Sequence, residues 1–249
     1  MDLAWEHPAT NIEAIHRWME CCPADSDVIV LPEMWSTGFT MDPSHHAESA
    51  ETGPGFCAMQ RWARESRAMV CGSLSVRTSN GFRNRHYAVY PDGSFLHYDK
   101  RHAFRFAGEH EHYQPGTDRV IVDCKGWKLL LMTCYDLRFP VFSRNRKELR
   151  YDGVLYVANW PKARIAAWST LLQARAIENQ AFVVGVNRIG IDGNGIEHNG
   201  QSAFISPYGE LQAFEAQGWS SCDWSAAQLL TFRDKFPVLE DADRFELSC

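Results

Sequence analysis

The strongest constraint on the fold is the way the short apolar runs end. Asp27-Val-Ile-Val-Leu31 is an apolar run, Pro32 stops it, and Glu33 follows at once. Leu96-His-Tyr-Asp99 leads into Lys100, and Leu129-Leu-Leu-Met-Thr133 leads into Cys134. Runs of roughly four to eight residues bounded by breakers read as strands, and continuous apolar ones as strands buried on both faces. Such strands need a covering layer on each side, so a layered α/β architecture is expected. Ligand sites in these folds gather where strands end. Here a carboxylate, an ammonium and a thiol each stand at such an end.

Helical stretches alternate with these strands. Ile12, Ile15, Trp18 and Cys22 recur at helical spacing over residues 11–22. A helix over 55–67 precedes a strand from Ala68 to Val76. Pro91-Asp92-Gly93 separates the strands Arg85 to Tyr90 and Phe95 to Tyr98, and Lys125-Gly126 separates Val120 to Cys124 from Trp127 to Thr133; both are hairpin signals. Phe139 to Tyr151 reads as helix, Gly153 to Ala158 as strand, Ala163 to Gln180 as helix and Ala181 to Asn187 as strand. Hairpin strands flank Pro207-Tyr208-Gly209, and a last helix covers Ser225 to Lys235. This order predicts mixed β-sheets covered by helices. The strand–helix pair near 27–67 loosely resembles that near 153–180, which suggests two similar halves. No linker interrupts the pattern, so residues 1–249 are expected to form a single domain.

Composition removes several function classes. With 25 basic and 31 acidic residues the net charge is −6, and no Lys/Arg run or basic-aromatic stripe occurs, so nucleic acid is not an expected partner. The eight cysteines form no C-x-x-C pair and read as reduced thiols, which points to the cytoplasm. Met1-Asp-Leu-Ala-Trp-Glu6 lacks the basic and apolar regions of a signal peptide. Apolar runs such as Ala181-Phe-Val-Val-Gly-Val186 are too short to span a bilayer, so no membrane partner is expected.

A cysteine at a sharp strand-to-helix turn is presented with the next N–H beside it, the arrangement of an elbow nucleophile with half an oxyanion hole. Taken singly, Glu33, Lys100 and Cys134 could equally be a capped loop carboxylate, a surface lysine and a core thiol. The surrounding segments decide between these. Leu31-Pro-Glu-Met-Trp-Ser-Thr-Gly-Phe39, Tyr98-Asp-Lys-Arg-His102 and Thr133-Cys-Tyr-Asp-Leu-Arg-Phe-Pro140 resemble, in order and spacing, the three signatures of the nitrilase (carbon–nitrogen hydrolase) superfamily. Asn159-Trp-Pro161 and Ala174-Arg-Ala-Ile-Glu-Asn-Gln180 extend the likeness, which runs from about Leu3 to Asp243. Within the superfamily the chain looks closest to the bacterial omega-amidases.

The resemblance implies a four-layer αββα sandwich of two similar halves, assembly as a homodimer or larger homo-oligomer, and a Glu33–Lys100–Cys134 triad. It implies hydrolysis of small ω-amides of α-keto dicarboxylic acids, such as α-ketoglutaramate, through a cysteine thioester. No cofactor and no metal is called for. In water, moving a proton from a free thiol to a free glutamate costs roughly 5–6 kcal/mol. Burial of a carboxyl and a nearby ammonium both lower that cost. The resemblance also places a second, supporting glutamate in Glu109-His-Glu-His-Tyr-Gln-Pro115, with Glu109 preferred to Glu111 by its distance to Pro115. The superfamily normally opens with a strand before a segment like Asp2-Leu-Ala-Trp-Glu-His-Pro8; with Met1 at that point, either the start is internal or a sheet lacks a strand.

Other residues admit two readings each. Trp160 lines the pocket or sits in the core, and Arg138 clamps a substrate carboxylate or pairs with Asp136. Phe39 and Tyr135, with Phe104, are placed to enclose a small substrate. Arg101 and Arg105 lie near Lys100 and could add positive charge. His102, His110 and His112 with Glu109 and Glu111 could instead form a metallohydrolase cluster, although no third histidine sits at ligand spacing. A papain-type Cys–His hydrolase lacks its signals here, and the intact triad argues against a binding protein on a retired hydrolase fold.

Overall fold

The computed structural model describes residues 1–212, 214–216 and 219–247. Two sheets pack face to face and helices cover their outer sides. Helix α1 (Pro8–Met19) precedes strand β1 (Val28–Val30), and α2 (Pro54–Ser66) leads to β2 (Met69–Thr78), β3 (Gly81–Val89) and β4 (Phe95–Asp99). These strands lie in the order β1-β2-β3-β4, with β1 parallel to β2 and the rest antiparallel. After the four-residue helix α3 (Glu109–His112) come β5 (Ile121–Cys124), β6 (Trp127–Thr133), β7 (Gly153–Ala158), helix α4 (Ile165–Asn179) and β8 (Phe182–Asn187). The hairpin β9 (Ala203–Ile205) and β10 (Leu211–Gln212) completes the second sheet, ordered β10-β9-β8-β7-β6-β5, and α5 (Ala226–Lys235) follows.

Side-chain alternation along the strands explains the layering. Met69, Cys71 and Ala88 point inward and share one core with Leu129, Leu131, Leu155 and Val184 of the other sheet. Val70, Leu74 and Tyr87 point outward and meet Phe56, Met59 and Trp62 of α2 and Ile15 of α1. Trp168, Leu172 and Ala176 of α4 cover the second sheet. The expected αββα sandwich is therefore observed. Both sheets carry a parallel strand–helix–strand unit with a long helix, β1-α2-β2 and β7-α4-β8, which accounts for the two similar halves.

Three expectations need adjustment. Phe139 to Tyr151 is not one helix: only Pro140–Ser143 is α-helical, followed by a single 3-10 turn over Lys147–Leu149. Asn145 is buried there, donates to Tyr151 O and Asn179 O at 3.0 Å each, and accepts from Tyr151 N at 3.1 Å. Such side-chain bonds to backbone compete with a helical ladder. A two-stranded ribbon, Ile189–Ile191 with Glu197–Asn199, was also not foreseen. Finally, β1 pairs only with β2 among the described residues, and Asp2 makes one isolated parallel bridge to Ile189. A cavity of about 730 Å3 lies beside β1, walled by Val28, Val30, Cys124, Trp127, Leu155 and Val184, and takes no wall from Glu33, Lys100 or Cys134.

All seven described cysteines are free thiols, and Cys249 lies outside the described residues. Among the described residues no helix is long and apolar enough to cross a membrane. Leu172 is fully buried and packs directly over Gly185 of β8. Leu172→Ala should therefore cost about 2–5 kcal/mol, transfer and cavity contributions together. Urea unfolding checks this, with the midpoint falling while the slope stays constant.

Candidate active site

Glu33 leaves β1 on a sharp turn. Met34, the next residue, has φ of 42° and donates its N–H to Ser73 Oγ at 2.8 Å. The Glu33 side chain is fully buried. Its Oε1 accepts from Lys100 Nζ at 2.8 Å and from Asn84 Nδ2 at 2.8 Å, while Oε2 accepts from the Asn159 N–H at 2.9 Å. Lys100 comes off the end of β4, with its own N–H donated to Asn84 O at 2.9 Å. Its ammonium also reaches Glu109 Oε1 at 3.0 Å and Oε2 at 2.9 Å.

Glu109, rather than Glu111, is the residue that meets Lys100. It is buried in α3 and accepts the Phe104 N–H at 2.5 Å, whereas the Glu111 side chain is mostly exposed. One ammonium thus lies between two carboxylates, and Asn84 bridges both by donating to Glu109 Oε1 at 3.2 Å.

Cys134 occupies the step from β6 into a 3-10 turn, Cys134–Arg138, and has φ of 44°. The left-handed region is strained for a non-glycine residue and needs surrounding structure to hold it. Asp136 supplies that hold. Its buried carboxylate accepts from Thr133 N at 2.9 Å and Tyr98 OH at 2.8 Å on one oxygen. The other oxygen accepts from His102 N at 3.0 Å and meets His102 Nδ1 at 2.7 Å. Asp136 is accordingly not the partner of Arg138.

Charges in the site are strongly coupled. Burial pushes the Cys134 thiol well above its usual value and the nearby Glu33 carboxylate adds to that; the Lys100 ammonium opposes both without outweighing them. Burial alone would push the Lys100 ammonium down, but Glu109 and then Glu33 outweigh it and hold the ammonium up. Glu109 is raised, first by burial and also by Glu33, with Lys100 opposing. A protonated thiol beside a buried carboxylate and a permanent cation can hand its proton over without net charge entering the site.

Around this centre lie aromatic rings. The Lys100 ammonium is 5.0 Å from the Phe39 ring, and the Phe104 and Tyr135 rings are 4.9 Å apart. Trp160 is a core residue at 3% exposure, with Arg138 stacked 5.0 Å above it. Arg101 turns toward the Phe142 ring, at 5.2 Å. The histidines do not assemble: His102 is bound to Asp136 and stacked 3.9 Å from Phe139, while His110 faces Glu111. Among the described residues no group of three or more His, Cys, Asp or Glu is arranged to hold a metal.

Two residues of the site were missed from sequence. Asn84 lies in mid-strand on β3, where nothing in a single sequence marks it. Asn159 appeared only as part of a motif, yet its Nδ2 also donates to Glu33 O at 2.6 Å. Its signal was its place at the end of β7, the position that singled out Glu33.

The family model for carbon-nitrogen hydrolases matches residues 5–228. The chain belongs to this family. This carbon–nitrogen hydrolase is 44% identical over 248 residues to the omega-amidase YafV of Escherichia coli, covering 98% of this chain and 95% of that protein. It is 29% identical to a 2-oxoglutaramate amidase of Bacillus subtilis, covering 96% and 94%. Among solved structures, a CN-hydrolase superfamily protein from Xanthomonas campestris, crystallised with an arsenic adduct in its active site, superposes with a TM-score of 0.95 at 41% identity. That match covers 99% of this chain and 96% of the other.

Because the Cys134 thiol is raised, it should be protonated in the resting enzyme at neutral pH. The difference in ultraviolet thiolate absorbance between wild type and Cys134→Ala should then be flat at neutral pH and rise only in alkali. A thiolate band at neutral pH that the substitution removes would contradict this charge state.

Proposed function

We propose that this carbon–nitrogen hydrolase is an omega-amidase, releasing ammonia from small ω-amides of α-keto dicarboxylic acids such as α-ketoglutaramate. The observation that carries the chemistry is the Lys100 ammonium held within 2.8–3.0 Å of both Glu33 and Glu109, with Cys134 on its strained elbow beside this pair. The substrate class is supported by the likeness to proteins named omega-amidase and 2-oxoglutaramate amidase.

The reaction follows from these contacts. Glu33 takes the Cys134 proton as sulfur attacks the amide carbon, and the carbonyl electrons move onto oxygen. Lys100 and the Tyr135 N–H hold that oxyanion; N–H groups in the first turn of a helical segment have no partner within it. Collapse breaks the C–N bond, and protonated Glu33 gives its proton to the departing nitrogen, leaving a thioester and ammonia. Glu33 then removes a proton from water, which attacks the thioester. The C–S bond breaks, the proton returns to sulfur and a dicarboxylate leaves. Glu109 orients and charges Lys100 and transfers no proton. Phe39, Tyr135 and Trp160 shape the enclosure, and Arg138, exposed beside Trp160 with no ion-pair partner among the described residues, faces the substrate's far carboxylate. Holding that end confines the amide carbon near sulfur, which is the source of effective molarity.

A thiol nucleophile suits the reducing cytoplasm. Homodimers or larger assemblies fit the exposed apolar side chains of Ile177, Tyr208 and Phe236, with Ile177 packed against Gly209 in the β9–β10 turn.

Ammonia release from α-ketoglutaramate tests the reading. Cys134→Ala should abolish turnover while remaining folded. Glu33→Gln should lose roughly 10²–10⁴-fold in kcat, and Glu109→Gln should lose less; the reverse order would mean that the two carboxylates are misassigned. Lys100→Arg should lose most of its kcat, because a planar guanidinium replaces a point charge. Chelators should leave activity unchanged, and loss restored by zinc would favour a metallohydrolase. A kcat/KM for butyramide equal to that for α-ketoglutaramate would refute the substrate class.

A further inference from the structure

Arg164 stands between the Asn159-Trp-Pro161 motif and α4, half-buried, and no role has been given to it so far. Its guanidinium lies 5.3 Å from the Phe104 ring and 5.7 Å from the Phe106 ring. Phe104 is the residue whose ring meets Tyr135, the neighbour of Cys134, and whose N–H is held by Glu109. On its other side, the Arg164 carbonyl accepts the Trp160 Nε1–H at 2.8 Å, and Trp160 carries Arg138 on its face. Arg164 is thus linked through Phe104 to Tyr135, the neighbour of Cys134, and through its carbonyl to Trp160, which carries Arg138.

Neither guanidinium has a carboxylate partner among the described residues. Several buried or part-buried arginines do: Arg85 pairs with Asp99, Arg175 with Glu178, Arg188 with Asp2 and Arg233 with Asp152; Arg119 and Arg146 instead donate to the carbonyls of Arg144 and Phe245. Stacking on an aromatic face occupies the π surface of a guanidinium but leaves its N–H edge free for a bidentate carboxylate. An N–H edge left open at the mouth of a site is a receptor for an anion that arrives with the substrate.

We propose that Arg164 is a specificity-determining residue that grips the carboxylate of the substrate remote from the amide, acting with Arg138 across Trp160. The proposal rests on the omega-amidase reading and names the group on the protein that enforces it. The rings of Phe104 and Phe106 preset the Arg164 guanidinium, so little freedom is lost when the carboxylate arrives. A neutral amide of the same length gains nothing from this contact.

The alternative role is structural: Arg164 could only brace the Phe104 segment and, through it, Glu109. The two roles separate in the ratio of kcat/KM for α-ketoglutaramate to that for butyramide, measured on wild type, Arg164→Met and Arg164→Lys. Loss of hydrogen bonds to a charged group should lower that ratio roughly 10- to 100-fold in Arg164→Met, chiefly through KM for the keto acid. Arg164→Lys should recover part of it by keeping the cation. Inhibition by the product 2-oxoglutarate should weaken in parallel. An equal fall for both amides in Arg164→Met, or an unchanged ratio, would overturn the proposal while leaving the omega-amidase reading standing. A wild-type enzyme with no preference for the keto acid would overturn that reading, and the proposal with it.

Discussion

A buried ammonium is the constraint on which the rest of the site depends. Lys100 is 3% exposed, and an uncompensated charge there would cost several kcal/mol. Compensation comes from Glu33 and Glu109, so the end of β1, the end of β4 and the start of α3 must converge on one point. Asn84, the Asn159 amide and the Phe104 amide take up remaining lone pairs of the two carboxylates. Burial raises the Cys134 thiol first and the Glu33 carboxylate adds to it, against the Lys100 ammonium, so the thiol stays protonated at rest with a carboxylate already in place to take its proton. Substrate supplies what the resting site lacks, a carbonyl able to accept the sulfur electrons as the proton moves.

Cys134 is held by a different anchor, and the two are joined. Asp136 sits inside the elbow and binds Tyr98 and His102, which flank Lys100 in the chain. Lys100 therefore cannot shift along β4 without pulling on the turn that presents Cys134. A single buried carboxylate ties one sheet's contribution to the other's, and the strain at Cys134 is carried by four contacts from that group.

Much of this was legible in the sequence because it is written in local patterns. Apolar runs with a polar residue at the end marked Glu33, Lys100 and Cys134 as candidates, the likeness of their segments to the nitrilase signatures singled them out, and hairpin signals at Pro91-Asp92-Gly93 and Lys125-Gly126 located the antiparallel pairs. What could not be read depends on groups far apart in the chain. Asn84 reaches Glu33 across 51 positions, and Asn145 breaks an apparent helix by bonding to Asn179. The partner of Arg138 was likewise open: Asp136 is two residues away, but its lone pairs are filled from β4 and the His102 loop. Hydrophobic periodicity reports which face is buried and is silent on which buried polar atoms find one another.

In the proposed reaction the Cys134 sulfur forms a bond to the substrate acyl carbon. Rapid acid quench of wild type turning over α-ketoglutaramate, followed by peptide mass spectrometry, measures this directly. The peptide carrying Cys134 should gain the mass of the substrate less ammonia, hydroxylamine should remove the adduct, and it should be absent from Lys100→Arg quenched at the same time. Turnover with Cys134 unmodified at every time point, or an acyl group on another residue, would contradict it.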